Sequence, residues 1–132
     1  MKTLSFINLK GGVGKTISAA NVAHILATVH GKRVLLVDGD KQGNTSQYFR
    51  LYGEQDGTAA LLMDPARDVL ETIYSTQYKG LDVITSNMDL YAADRAIYED
   101  VERDTSGALK AALRRVGADY DYCVIDNGPA VD

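Results

Sequence analysis

The chain is poor in cysteine, proline and long apolar runs: its 132 residues include one cysteine, two prolines and no tryptophan. The single cysteine, Cys123, cannot form an internal disulfide or hold a structural zinc ion unaided, which fits a reducing compartment. No stretch approaches the length of a membrane span, and lysines and glycines interrupt the short apolar segment at the start. We therefore expect a cytoplasmic protein with no membrane partner.

Positive charge is also in short supply. The chain has 14 Lys and Arg residues against 18 Asp and Glu, and a net charge of −4. This balance gives no electrostatic support for a general nucleic-acid surface on this segment. The length and a hydrophobic content of 45% predict one soluble globular domain, spanning residues 1–132.

Apolar runs alternate with helical patterns along the chain. Runs that are nearly all apolar are predicted to be buried strands, at residues 3–8, 33–38, 81–86 and 120–126. Helical patterns lie between them, at residues 15–30, 58–64, 66–74, 89–102 and 105–117. The alternation predicts an α/β fold, a parallel sheet with helices on both faces. All carboxyl ends of the strands then share one edge, where such sheets bind ligands.

A glycine-rich loop, NLKGGVGKT at residues 8–16, follows the first predicted strand and opens the first helix. Gly14, Lys15 and Thr16 match the last three positions of the strict phosphate-loop pattern G-x-x-x-x-G-K-[ST]. The same pattern requires glycine where Leu9 stands. A plain strand-to-helix turn is the alternative interpretation, and the position of the GKT triplet at the helix start favours a phosphate site.

The chemistry of this loop suits a nucleotide. Gly11, Gly12 and Gly14 allow successive main-chain N–H groups to wrap an anion, and the helix start adds partial positive charge. Lys15 would reach the β- and γ-phosphates, and the Thr16 hydroxyl would ligate Mg²⁺.

Acidic residues close two of the other predicted strands. Asp38 and Asp40 follow the second strand, where carboxylates can hold Mg²⁺ through water or orient the water that attacks a γ-phosphate. Asp126 closes the last strand, as the metal-assisting Walker B aspartate does. Aspartates often cap strand ends, so each signal alone is weak. Together with the glycine loop they predict a magnesium–nucleotide site.

The quoted motifs, KGGVGKT with the extra Lys10, VLLVDGDKQGN, GLDVITSN and YDYCVIDNGP, resemble those of ParA-type partition ATPases, the Soj family. This family belongs to the deviant Walker A group of P-loop ATPases, and the resemblance runs from the first residue to the last. It implies a P-loop NTPase type of fold. It also implies ATP and Mg²⁺ as cofactors, and ATP hydrolysis in plasmid or chromosome partitioning.

The resemblance assigns roles by position. Lys10 resembles the signature lysine that crosses an ATP-sandwich dimer to touch the partner's phosphates. Asp40 matches the aspartate that positions the attacking water, Asp38 supports the metal shell, and Asp126 matches the Walker B aspartate. The predicted catalytic residues are Lys10, Lys15 and Asp40; the nucleotide-binding residues are Gly11, Gly12, Val13, Gly14, Lys15, Thr16 and Ile17; the metal ligands are Thr16, Asp38 and Asp126.

The resemblance also implies partners: a second copy of the chain in a homodimer, a centromere-binding protein of the ParB type, and non-specific DNA for full-length members. Lys41 and Gly128 stand where the family usually has prolines. Family members continue well beyond the equivalent of Asp132, so we expect an N-terminal fragment with an incomplete sheet. An uncovered sheet edge would favour self-association or marginal stability.

A second function is left open. Because the adenine pocket of the family lies in the later half, the chain is alternatively a non-catalytic nucleotide-binding fragment, or a regulatory partner of a full-length relative. Other members of the fold fit less well. An iron–sulfur reductase needs several cysteines, and a MinD-like ATPase normally has glycine at position 9 and a membrane helix. A bacterial tyrosine kinase would carry a terminal tyrosine cluster.

Overall fold

The structure is a computed structural model, and it describes residues 1–6, 13–39, 58, 68–85 and 105–127. Within these ranges the strands are β1 (Lys2–Phe6), β2 (Val34–Gly39), β3 (Ile73–Ser75), β4 (Leu81–Ile84) and β5 (Tyr122–Asn127). The helices are α1 (Val13–Thr28), α2 (Thr105–Arg114) and a 3₁₀ helix (Val69–Thr72). None of the helices in these ranges is long and apolar enough to span a bilayer.

The strands form one sheet in the order β1-β5-β2-β4-β3. The pairs β1–β5, β5–β2 and β2–β4 are parallel, which confirms the predicted parallel sheet. Each of these strands begins within two residues of its predicted start. The prediction that the first strand is buried is wrong, because Lys2 to Ser5 of β1 are exposed and Phe6 is half-buried. The helical pattern predicted for residues 89–102 lies outside the described residues. Of the pattern predicted for residues 58–64 the structure describes Thr58 alone, which is helical.

The prediction of a helix over residues 66–74 is wrong at its end. Asp68 caps a short 3₁₀ turn by accepting a hydrogen bond of 3.0 Å from the main-chain N–H of Leu70. Ile73 and Tyr74 then enter β3, which pairs antiparallel with β4 at the edge of the sheet. The strand has three residues, too few to show a period of two in the sequence.

Helices cover both faces of the sheet, as predicted. Alternate residues of β2 face opposite sides, so that two separate cores form. The core on the α1 face contains Ala19, Ala20, Ala23, Ala27, Val34, Leu36, Leu81, Val83 and Val124. The core on the α2 face contains Leu35, Val37, Val69, Ile84, Ala112, Leu113, Val116, Tyr120 and Cys123.

The α1 helix packs through alanines and is followed by a glycine turn. Four buried alanines supply its contact surface, and their small side chains bring the helix axis close to the sheet. Gly31 follows the helix with φ +65°, a conformation that favours glycine. The turn before β4 likewise contains Gly80 at φ +85°, where a Cβ would lie 3.0 Å from the carbonyl oxygen of Lys32.

Candidate functional site

The candidate site lies at the carboxyl edge of β5 and β2, the two central strands that lie side by side. Asp38 near the end of β2 is in register with Asp126 near the end of β5, and both side chains are fully buried. On each strand the residue two positions earlier, Leu36 or Val124, packs into the α1-face core. By strand alternation, both carboxylates therefore belong to the α1 face.

Two carboxylates on neighbouring strands are separated by roughly the strand spacing of 4.8 Å. Burial of carboxylates is tolerated where hydrogen bonds, a cation or a proton compensates the charge. Asp38 and Asp126 each interact with other groups of the protein. Their common face and edge make them a matched pair of oxygen ligands, the donor type that Mg²⁺ prefers.

The α1 helix follows β1, whose last residue, Phe6, is in register with Asp126. It starts at Val13, two residues before the predicted start, so part of the glycine loop belongs to the helix itself. The first turn of α1 carries no acidic side chain to neutralise the partial positive charge of its N–H groups. Such a helix start next to parallel strands suits a phosphate.

Thr58, which sequence analysis did not single out, joins two strand ends at the same edge. Its buried hydroxyl donates a hydrogen bond of 2.7 Å to the main-chain oxygen of Asp38. Its own N–H donates one of 2.8 Å to the main-chain oxygen of Thr85, which follows β4. These two bonds hold β2 and β4 together beside the carboxylate pair. Because the contact spans distant parts of the chain, no local sequence pattern could have revealed it.

The structure thus places only part of the predicted site. It brings Asp38 and Asp126 together. It also puts the start of α1 at the carboxyl edge of the sheet, on the face to which both carboxylates belong. Of the helix start it describes the main chain alone, for Val13, Gly14, Lys15, Thr16 and Ile17. The residues Lys10, Gly11, Gly12, Asp40, Lys41 and Gly128 lie outside the described residues.

The donor set fits Mg²⁺ bound together with a nucleotide. In the described part of the chain, no group of three or more His, Cys, Asp or Glu residues could hold a metal ion. Nucleotide-bound Mg²⁺ commonly takes one or two carboxylates, several waters and phosphate oxygens. The Asp38–Asp126 pair matches that requirement.

Residues 1–132 match the family model described as an AAA domain. The chain is 37% identical to the sporulation initiation inhibitor protein Soj of Bacillus subtilis over 132 residues, covering 98% of this chain and 51% of that protein. It is 36% identical over 136 residues to the chromosome partitioning protein ParA of Caulobacter vibrioides, covering 100% and 49%. The chain therefore spans about half the length of these curated relatives.

Solved structures show the same architecture. The McdA–ATP complex of Cyanothece superposes with a TM-score of 0.83 at 28% identity, covering 99% of this chain and 49% of that chain. Cobyrinic acid a,c-diamide synthase of Mycobacterium smegmatis, with bound ADP and magnesium, gives a TM-score of 0.85 at 29% identity, covering 98% and 52%. These neighbours confirm the predicted type of fold.

Proposed function

The chain belongs to the AAA-domain family that includes the Soj and ParA partition ATPases, and from this membership we propose that it binds ATP with Mg²⁺ and hydrolyses it. The observation that carries the proposal is the fully buried, in-register pair Asp38 and Asp126. The nucleotide would lie against the start of α1, with its phosphates toward the two carboxylates. ATP, ADP and magnesium in the related solved structures support the same ligands.

The residues have distinct proposed roles. Asp126 and Asp38 hold the hydration shell of the Mg²⁺ ion, and Thr16 adds a hydroxyl ligand from the first turn of α1. Lys15 neutralises phosphate charge, assisted by the N–H groups of residues 11–17. Asp40 orients the attacking water. When the ion is bound, it supplies charge neutralisation for phosphoryl transfer.

A second copy would complete the site. Lys10 of one chain would touch the phosphates held by its partner, as an arginine finger does in other phosphoryl-transfer enzymes. In a partitioning role the protein would work in the cytoplasm with a ParB-type protein and non-specific DNA. The DNA contact would require surface beyond this acidic segment, whose net charge is −4.

The proposal is tested by ATP titration and ATP turnover, each with and without Mg²⁺. The parent chain should bind ATP in a Mg²⁺-dependent manner, and Lys15→Ala and Asp126→Asn should each weaken binding by about tenfold or more. Asp119→Asn is the matched control, because Asp119 is exposed in the turn that follows α2. Unchanged binding in both site variants, or a folded parent that does not bind ATP, would contradict the proposal.

A non-catalytic nucleotide-binding role is the second candidate. It is kept as an alternative because the chain matches 51% of Soj and 49% of ParA, so that the activity of those whole proteins is a proposal for this chain. The two measurements separate the candidates. Mg²⁺-dependent binding with turnover supports the ATPase, whereas tight binding without turnover supports a nucleotide-binding component or a regulatory partner of a longer relative.

A further inference from the structure

Three threonines in the described part of the chain are buried, and one of them differs from the others. The hydroxyl of Thr58 donates to the main-chain oxygen of Asp38 at 2.7 Å, and that of Thr72 donates to the main-chain oxygen of Val69 at 2.6 Å. The Thr85 hydroxyl is fully buried and has no hydrogen-bond partner among the residues that the structure describes. A buried hydroxyl without a partner destabilises a fold, so such groups are rare unless a ligand or water completes them.

Thr85 lies beside the carboxylate pair. Leu81 and Val83 of β4 pack into the α1-face core, whereas Ile84 packs into the α2-face core. Continuing this alternation by one residue puts Thr85 on the α1 face, the face of both carboxylates.

The strand register gives its height in the sheet. Val37 of β2 is in register with Ile84, the last residue of β4, and extending this register by one residue puts Thr85 level with Asp38. Asp38 is in turn in register with Asp126. One row of polar side chains, Asp126, Asp38 and Thr85, therefore crosses three adjacent strands at the carboxyl edge.

We infer that Thr85 is a positioning residue of this site, its hydroxyl holding a water molecule in the hydration shell of the divalent cation at Asp38 and Asp126. The inference rests on the proposed function. Thr85 is two strands away from Asp126, roughly twice the strand spacing of 4.8 Å, so a bridging water suits that distance better than direct ligation. Mg²⁺ retains several of its waters in nucleotide sites, and those waters need protein acceptors and donors.

The cation site and the fold make opposite demands on this hydroxyl. Without a bound cation, the unpartnered Thr85 hydroxyl destabilises the protein. With the cation present, the same hydroxyl gains a water partner. A variant that lacks it should therefore be at least as stable as the parent when empty, and should bind the cation less well. A threonine with no role in cation binding could show the same gain in stability but would show no loss of binding.

The experiment compares Thr85→Val, Thr85→Ser and the control Thr72→Val in the full chain. Mn²⁺ serves as the probe cation, its binding with ADP followed by electron paramagnetic resonance, and urea unfolding without ligand reports stability. Thr85→Val should keep or raise the unfolding midpoint and weaken Mn²⁺ binding by about tenfold. Thr85→Ser should bind like the parent. Thr72→Val should lower the midpoint without affecting Mn²⁺ binding, because the hydroxyl that it removes is already bonded to the main-chain oxygen of Val69.

Specific results would overturn the inference. If Thr85→Val binds Mn²⁺ as the parent does, the hydroxyl does not position the cation. If Thr85→Val is less stable than the parent when empty, its hydroxyl already has a partner. A parent that fails to bind Mn²⁺ with ADP contradicts the proposed nucleotide site as well, whereas equal binding by parent and variant contradicts the role of Thr85 alone.

Discussion

Alkaline pH should destabilise the fold through its single thiol. Cys123 is fully buried in β5 and packs in the α2-face core. Burial raises the pKa of the Cys123 thiol from its ordinary value of 9.0 to about 12. The unfolded chain therefore releases the thiol proton at a pH where the folded chain still holds it. The stabilisation is complete below pH 9 and is lost progressively as pH rises toward the folded value.

The size of the effect follows from proton linkage. At pH 10, one unit above its ordinary pKa, the thiol is about nine-tenths ionised in the unfolded chain and protonated in the folded protein. This difference lowers the free energy of unfolding by about 1.4 kcal/mol relative to pH 7. Desolvation and hydrogen bonding to Asp82 also raise the pKa of Tyr120, which adds a smaller loss near pH 10.

The assay is urea unfolding at pH 7 and pH 10, compared between the parent and Cys123→Ala. Far-UV circular dichroism is the suitable signal, because the chain has no tryptophan and its eight tyrosines would change fluorescence as they ionise. Removing the thiol creates a small cavity, so Cys123→Ala should be less stable than the parent at pH 7. Its loss between pH 7 and pH 10 should nevertheless be about 1.4 kcal/mol smaller than the parent's.

The difference between the two pH-dependent losses isolates the thiol, because Tyr120 and all other titrating groups are present in both proteins. Cys123→Val, which fills more of the space, gives an independent comparison if the alanine variant is too unstable to measure. Equal losses in the parent and both variants would show that the thiol ionises as easily in the fold as in the unfolded chain. The reasoning from burial would then be refuted.

Two further predictions concern stability, both measured by urea unfolding. Gly80→Ala should lower the free energy of unfolding by about 1–2 kcal/mol, since φ is +85° and the new Cβ would meet a carbonyl oxygen at 3.0 Å. Gly31→Ala should lower the free energy of unfolding by less than Gly80→Ala, because Gly31 has φ +65° but open space around its Cβ position. Equal losses in the two variants would contradict the steric argument. Tyr120→Phe should lower the free energy of unfolding by about 1 kcal/mol, because the Tyr120 hydroxyl donates a hydrogen bond of 2.7 Å to the Asp82 carboxylate. Tyr122→Phe, with no such bond among the described residues, should be neutral, and a similar loss there would contradict this assignment.

The central strands β2 and β5 could be predicted because each contains an apolar run whose residues alternate between the two faces of the sheet. VLLV of β2 and CVI of β5 are short buried runs, and the alanine-rich pattern of α1 has no strand interpretation. The edge strand β3 escaped prediction because pairing with β4 decides its conformation. Its three residues carry no period that would distinguish them from the end of a helix.

The site could be predicted only as a set of residue types at strand ends. Local sequence identified Asp38 and Asp126 as candidates, and strand order then made them neighbours. The local sequence carries no signal for Thr58 or Thr85, because the importance of these residues depends on which groups lie near them in the folded chain. Thr58 is hydrogen-bonded to both strand ends, whereas the Thr85 hydroxyl has no partner within the described ranges.

The strand register that brings Asp38 beside Asp126 also brings Arg33 beside Asp121 at the opposite end of the same two strands. The main-chain N–H of Arg33 donates a hydrogen bond of 2.9 Å to the carboxylate of Asp121. The Arg33 guanidinium forms an ion pair of 3.2 Å with the same carboxylate. The main-chain N–H of Asp121 donates a hydrogen bond of 2.7 Å to the carbonyl oxygen of Arg33. The hydrogen bonds from Arg33 hold the pKa of the Asp121 carboxyl below its ordinary value.

The contact between Arg33 and Asp121 favours the observed register of β2 against β5. Apolar packing alone would specify that register only weakly. Both faces of β2 and β5 are apolar, so a slip of one residue would still bury hydrophobic side chains while exchanging their faces. The same number of residues separates Arg33 from Asp38 as separates Asp121 from Asp126. Pairing Arg33 with Asp121 at the amino edge therefore brings the two aspartates together at the carboxyl edge. A slip would instead put one carboxylate on the α2 face, away from the start of α1.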